Sequence, residues 1–311
     1  MALIEGFRVQ NYRALRDVTL GKLSSQQGGA ALTPFTVVIG KNGAGKSTLF
    51  DAFGFVSDCL VHDVEQACDM KQRGGYERLH SRGTDGPIRF EIYYREGIGE
   101  RPMTYELSIA LDESGRPFIE SEVLKQRRKG QKHGRPYPFL RLSHGKGMVW
   151  AGEEAVEVEG GEEDRPQTLV ELTDLRQLGI ATLGTLKEHP RIKRFRDFLK
   201  GWYLSYFYPD AARSLPTAGP QKHLNSHGDN IGNVVQFMAR EHKDRFKAIL
   251  DRIAAKIPGI KSIDTQETKD KRWLLRFNDG AFADPFFAQQ MSDGTLKVFA
   301  YLLLMDDPEP P

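Results

Sequence analysis

One stretch, Gly40-Lys41-Asn42-Gly43-Ala44-Gly45-Lys46-Ser47-Thr48, constrains the fold of this chain more than any other. It fits G-x-x-x-x-G-K-[ST], with Gly40, Gly45, Lys46 and Ser47 at the required positions. Ahead of it, Phe35-Thr36-Val37-Val38-Ile39 enters behind Pro34 as a short β-branched run and reads as a buried parallel strand. Behind it, Leu49, Phe53, Val56 and Leu60 recur at i, i+4, i+7 and i+11, one face of an amphipathic helix. Strand, glycine-rich loop and helix in that order are what a phosphate cradle needs. The glycines let backbone N–H groups converge on an anion, and the helix N-terminus adds partial positive charge. On this reading all nine residues from Gly40 to Thr48 contact ATP: Lys46 reaches the β- and γ-phosphates, and the Ser47 hydroxyl holds Mg²⁺. The alternative, a chance glycine turn between strand and helix, is disfavoured by the two matching flanks.

Length and composition bound the rest. A chain of 311 residues suits two domains, or one large α/β domain with insertions. Apolar residues at 39% suffice for a sizeable core, and 28% charged residues are ordinary for a water-soluble chain. The net charge of +2 excludes a molecule that binds nucleic acid by overall charge, so any such role must come from local patches. The longest apolar run, Val298 to Met305, is far short of the ~20 residues a bilayer span takes, and no signal-peptide pattern opens the chain, so no membrane is expected. The two cysteines, Cys59 and Cys68, form no zinc-ligand pattern; reduced thiols in a cytoplasmic protein are expected, with Cys59 a small core residue.

Before the loop, a strand over Leu3 to Val9 is followed by Asn11-Tyr12-Arg13 and a second strand over Asp17 to Leu20. This opening hairpin resembles the start of the ABC-type ATPase heads of the RecF, SMC, Rad50 and OLD group, whose N-[FY]-R stretch lies beside the nucleotide. The resemblance implies that Arg13 is close to the phosphates or base; a surface arginine is the competing reading. After Lys71-Gln72-Arg73-Gly74-Gly75, strands are expected at Ile88 to Tyr94, Thr104 to Leu111 and Phe118 to Leu124. A further edge strand is expected at Val156 to Glu159, inside the acidic segment Glu153 to Asp164. The basic run Lys125 to Arg135, with Tyr137 and Phe139 beyond it, suits a phosphate backbone or a solvated hairpin tip. From Leu169 the period turns helical: one helix through Leu172, Leu175 and Leu178, then Arg191 to Leu204, Ile231 to Arg240 and Asp244 to Lys256. The cations of Arg191 to Lys200 are mostly a wet face, with DNA contact the alternative. Strands near Ile260 to Thr265 and Trp273 to Phe277 follow. No sustained heptad is visible, so the long coiled coil of SMC and Rad50 proteins is not expected.

Gln289-Gln290-Met291-Ser292-Asp293-Gly294-Thr295-Leu296 resembles the ABC signature in the S-D-G-T form of predicted bacterial ATPases related to RecF and OLD. The resemblance implies that Ser292, Asp293 and Gly294 face the γ-phosphate held by another subunit's P-loop. An ordinary N-cap at Ser292 is the other reading. Leu302-Leu303-Leu304-Met305-Asp306-Asp307 imitates a Walker B strand, but too few residues separate it from Ser292 for a helix and a return to a buried parallel strand. The expectation is therefore a chain that stops one strand short of its catalytic acids, with no catalytic residue of its own.

The expected fold is α/β, a P-loop NTPase of ABC-ATPase head type with an antiparallel β-flank and a helical lobe. Its parts are 1–70 (N-terminal hairpin and P-loop), 71–165 (antiparallel β-subdomain), 166–258 (helical lobe) and 259–311 (return strands and signature helix). The expected function is ATP-driven head dimerisation, as a homodimer or higher homo-oligomer, coupled to DNA-related work in phage defence or repair, with a nuclease-type effector as partner. A nucleotide-sensing assembly module that leaves chemistry to a partner is the alternative. A membrane-transport subunit is disfavoured by the long insertion between P-loop and signature.

Overall fold

Alternation decides the first strand. In β1 (Leu3–Tyr12) Phe7 and Val9 are buried while Arg8 and Gln10 lie on the opposite face, the period-two pattern of a sheet covered on one side. The computed structural model describes residues 2–24, 29–127, 135–151, 167–219, 221–257 and 259–308. They divide into two units, Met1–Trp202 and Tyr203–Pro311.

In the first unit β1 pairs with β2 (Leu15–Gly21). Then come α1 (Lys46–Val61), α2 (Val64–Asp69) and α3 (Tyr76–Leu79). The strands β3 (Ile88–Arg95), β4 (Met103–Leu111), β5 (Pro117–Gln126), β6 (Tyr137–Ser143), β7 (Lys146–Trp150) and β8 (Gln167–Glu171) follow, then α4 (Gly179–Leu183) and α5 (Pro190–Lys200). The eight strands form one antiparallel sheet in the order β2-β1-β3-β4-β5-β6-β7-β8. Register aligns the apolar positions: Val9 opposes Phe90, which opposes Leu107, and Phe7 opposes Ile92, which opposes Tyr105. Onto this face α1 lays Leu49, Ala52, Phe55, Val56 and Cys59, all buried. Phe7 stacks on Phe53 at 3.9 Å, and Phe55 sits 5.8 Å from Phe90. Each such fully buried side chain is worth roughly 1.5–3 kcal/mol of transfer free energy, so the α1–sheet contact anchors the unit.

Three expectations need correction. Phe35 to Ile39 is not a buried parallel strand: the segment belongs to no strand, and Phe35, Val37 and Ile39 are 81%, 61% and 90% exposed. A parallel strand needs ladder partners, and among the described residues every strand pairing is antiparallel and none involves this segment. Second, Leu172, Leu175 and Leu178 do not mark a helix. The chain leaves β8 and hydrogen-bonds along the sheet, Leu172 N–H to Gly145 O and Leu175 O from Ile119 N–H, and only α4 beyond Leu178 is helical. Spacing by three served a sheet margin rather than a helix face. Third, Arg191 departs from the mostly wet face expected of the Arg191–Lys200 cations. Arg191 is buried with its guanidinium 4.1 Å from the Phe139 ring, while Lys193 and Arg196 pair with Asp197 and Arg194 with Glu96. Phe139 is thus a core side chain and not a stacking platform. The edge strand at Val156 to Glu159, the acidic segment Glu153 to Asp164 and residues 128–134 of the basic run lie outside the described residues.

The second unit joins α6 (Pro209–Ala212), α7 (Ile231–Glu241) and α8 (Lys243–Lys256) to a three-stranded sheet of β9 (Ile260–Glu267), β10 (Trp273–Asp279) and β11 (Phe286–Phe287), in the order β11-β10-β9. Then comes α9 (Asp293–Met305). Val235, Ile249, Phe277 and Phe299 are fully or almost fully buried in its core. Leu302 to Met305 lies inside α9 and Asp306 is its C-cap. The acids at that end are held by neighbours in the same unit: Asp306 by Arg252, Asp307 by His223 Nδ1 at 2.8 Å. No helix among the described residues is long and apolar enough to cross a membrane.

Candidate nucleotide site

The glycine-rich loop takes its shape from backbone conformations that only glycine adopts cheaply. Gly43 and Gly45 sit at φ 82° and 89°, and Gly45 is the left-handed N-cap of α1. A Cβ on Gly45 would lie 3.0 Å from Leu15 Cδ2, so the loop also packs tightly against the start of β2. Within the turn Ala44 N–H donates to Lys41 O and Leu49 N–H to Gly45 O. Among the described residues, the N–H groups of Gly43, Gly45, Lys46, Ser47 and Thr48 make no backbone hydrogen bond. Five unpartnered donors at the start of a 16-residue helix, with no acid in its first turn, make a strongly anion-seeking surface. Lys46 Nζ folds over the mouth of the loop and donates to Gly40 O at 2.7 Å and Lys41 O at 2.8 Å. These are neutral acceptors, which a phosphate oxygen would outcompete for an ammonium. Ser47 is exposed and offers the hard oxygen that Mg²⁺ prefers. No cluster of His, Cys, Asp or Glu able to hold a metal exists among the described residues.

The Asn11-Tyr12-Arg13 turn lies against the same helix. Asn11 and Arg13 occupy left-handed conformations, φ 58° and 50°. Asn11 Nδ2 holds the turn by donating to Asp85 O and Pro87 O, and Ser81 Oγ donates to Arg13 O. The Arg13 guanidinium meets Asp51 at 3.2 Å. Asp51 stands on α1 one turn beyond Ser47, on the same side of the helix, which brings Arg13 to the Ser47 face.

Two residues that sequence reasoning did not single out organise this region. Arg73 is wholly buried, donating Nε to Asp51 at 3.0 Å and Nη1 to Asp58 at 2.6 Å and to Ala67 O at 2.9 Å. Burial opposes its charge, but Tyr12, Asp51 and Asp58 outweigh that and hold its pKa above the usual arginine value. Asp51 also accepts from Tyr12 OH at 2.7 Å; burial, then the Asp51 charge, raises the Tyr12 pKa so that the phenol stays a donor. The available signal was the spacing of Ser47, Asp51 and Asp58 along one helix. Nothing in Lys71 to Gly75 marks Arg73 as an interior residue.

Ser292, Asp293 and Gly294 belong to the second unit and the P-loop to the first. Ser292 is the N-cap of α9, its Oγ accepting from Thr295 N–H at 3.1 Å. Asp293 pairs with Arg213 at 2.6 Å, and the same guanidinium nitrogen donates to Met291 O at 2.8 Å. All three turn residues are exposed. Ser292 therefore acts as a cap within the chain, and the geometry leaves its outward face open.

A glycine-shaped loop of free N–H groups, an invading lysine and a serine at a helix start define a P-loop nucleotide-binding domain. Over residues 35–311 the chain matches the family described as AAA domain, putative AbiEii toxin, Type IV TA system, and it belongs to that family. ATP binding by a P-loop ATPase-type domain follows from that membership. Among curated proteins none matches the chain.

Proposed function

We propose that the chain is the nucleotide-binding part of an ATPase head of the RecF/SMC/OLD-like kind. It binds ATP with Mg²⁺ at Gly40 to Thr48, and two copies pair around nucleotide through Ser292, Asp293 and Gly294. The observation that carries this reading is the set of five N–H groups at Gly43 to Thr48, unpartnered among the described residues, around left-handed glycines, with Lys46 bound there only to neutral carbonyls. The N–H groups orient the phosphates, Lys46 neutralises them, and Ser47 supplies an oxygen to the cation. Bound Mg²⁺ would draw charge from the phosphate oxygens. The family description, a putative toxin of a type IV toxin–antitoxin system, supports phage defence over DNA repair as the setting; a nuclease-type effector or DNA is the partner we propose for it.

A second reading, nucleotide-sensed assembly with the chemistry left to a partner, is favoured by one observation. Asp51, the carboxylate one turn from Ser47, is committed to Tyr12, Arg73 and Arg13 and is not free to act on water. Lys46→Ala tests the nucleotide site itself. Calorimetry should find ATP affinity reduced more than about tenfold, the scale of a charged hydrogen bond lost, with the melting temperature unchanged. Equal affinity in variant and parent refutes the site.

A further inference from the structure

Two arginine–carboxylate pairs of the first unit use both arms of the guanidinium. Arg8 grips Asp17 with Nε and Nη2, and Arg116 grips Glu65 in the same way. Arg13 differs. It touches Asp51 through Nη1 alone, at 3.2 Å, and is about one-third exposed, and no other partner of its guanidinium exists among the described residues. Most of its donor fork is therefore free, beside the start of α1.

Asp51 is not itself free to follow Arg13. Its Oδ2 accepts from Tyr12 OH and its Oδ1 from Arg73 Nε, and both of those side chains are buried. Arg73 is fixed in turn by Asp58 and Ala67 O. The backbone at Arg13 is also held, its N–H by Leu79 O and its carbonyl by Ser81 Oγ. A carboxylate locked by two interior donors thus takes one arm of an arginine whose main chain is locked as well. The remaining arms are left on the side of α1 that carries Ser47, one turn away.

We propose that Asp51 is the positioning residue of the nucleotide site. Tyr12 and Arg73 fix its carboxylate so that it presents the free fork of Arg13 to a phosphate bound at Gly40 to Thr48. This rests on the P-loop reading and on Arg13 as a phosphate contact. Pre-orienting a long, rotamer-rich side chain removes an ordering cost that binding would otherwise bear. Asp51→Asn keeps the shape and one acceptor but loses the charge that aims Arg13.

The test is a double-mutant cycle read by calorimetry with Mg-ATP on the full chain, with a thermal melt of each variant. Arg13→Ala should weaken ATP about tenfold, or ~1.4 kcal/mol, and Asp51→Asn should weaken it severalfold. The double variant should be no weaker than Arg13→Ala, because Asp51 acts only through Arg13. A purely structural Asp51 would lower the melting temperature and would weaken ATP equally with or without Arg13. Multiplying losses in the double variant therefore overturn the proposal, as does unchanged affinity in Asp51→Asn when Arg13→Ala binds weakly. Unchanged affinity in Arg13→Ala, with Lys46→Ala unable to bind, removes Arg13 from the site and this proposal with it, but spares the P-loop. If Asp51→Asn does not fold, Tyr12→Phe takes its place in the cycle: it frees one oxygen of the same carboxylate and should give a smaller loss that vanishes in the Arg13→Ala background.

Discussion

Replacing Arg73 by methionine tests whether the first unit depends on charge buried beneath α1. Methionine keeps the length and apolar body but leaves Asp51 and Asp58, whose side chains are only 15% and 12% exposed, without the cation between them. Removing one partner of a buried pair costs about 3–5 kcal/mol. Two features pull the value toward the lower end. Arg13 still meets Asp51 and Lys71 still meets Asp58 at 2.8 Å. The parent also carries Arg73 Nη2 buried without a partner, and the substitution removes that cost, ~1 kcal/mol or more. A loss of about 3 kcal/mol results, equivalent to roughly 6–12 °C in melting temperature for a domain of this size. Urea unfolding read by tryptophan fluorescence measures it, since Trp150 and Trp202 both lie in the unit. The triple variant Arg73→Met/Asp51→Asn/Asp58→Asn should recover much of the loss, because neutralising both acids removes the orphaned charge. A single variant within ~0.5 kcal/mol of the parent, the range of ordinary surface substitutions, would refute the argument.

Two other outcomes are expected. Glu122 is wholly buried, accepting from Tyr105 OH and from the N–H groups of Gly179 and Ile180 at the start of α4. Burial raises its pKa above the ordinary 4.5 despite those three donors, so the ionised form is the costly one in the folded state. Its contribution to stability is greatest below pH 4.5 and declines as pH rises toward the folded value. The stability deficit of Glu122→Gln should accordingly shrink between pH 5 and pH 8 in paired urea titrations, and a deficit that grows would reverse the assignment. At the signature turn, Ser292→Arg should abolish ATP-induced dimers in light scattering while sparing ATP binding; unchanged dimers would leave Ser292 a helix cap and nothing more.

Membership of the family covers residues 35–311 and fits what the loop geometry supports, a phosphate site at the head of α1. The structure adds the interior behind that site. Tyr12, Asp51, Asp58 and Arg73 join the opening hairpin, the P-loop helix and the segment Lys71 to Gly75 through charge-assisted hydrogen bonds, where a conventional core would use methyl groups. Lys71 and Gln72 adopt left-handed backbone to bring Arg73 inward, φ 53° and 60°. Such conformations cost free energy at non-glycine residues and persist only where surrounding contacts over-determine them.

The sequence by itself determined whatever depends on local spacing. The glycines of the P-loop, the i, i+4, i+7 stripe of α1 and the alternation of β3 to β5 are legible because a residue's conformation and its buried face repeat with the element's own period. The helices α5, α7 and α8 were visible for the same reason. The tertiary structure alone decided what depends on partners distant in the chain. Phe35 to Ile39 has strand composition but no ladder, since a strand exists only where neighbours accept its hydrogen bonds. Leu172, Leu175 and Leu178 have helical spacing, yet Gly145 in the turn after β6 and Ile119 in β5 took the backbone groups of Leu172 and Leu175, and Leu178 only caps α4. The same limit hid Asp51 and Arg73. Their roles arise from residues 22 positions apart meeting under one helix, and local sequence carries no record of such a meeting.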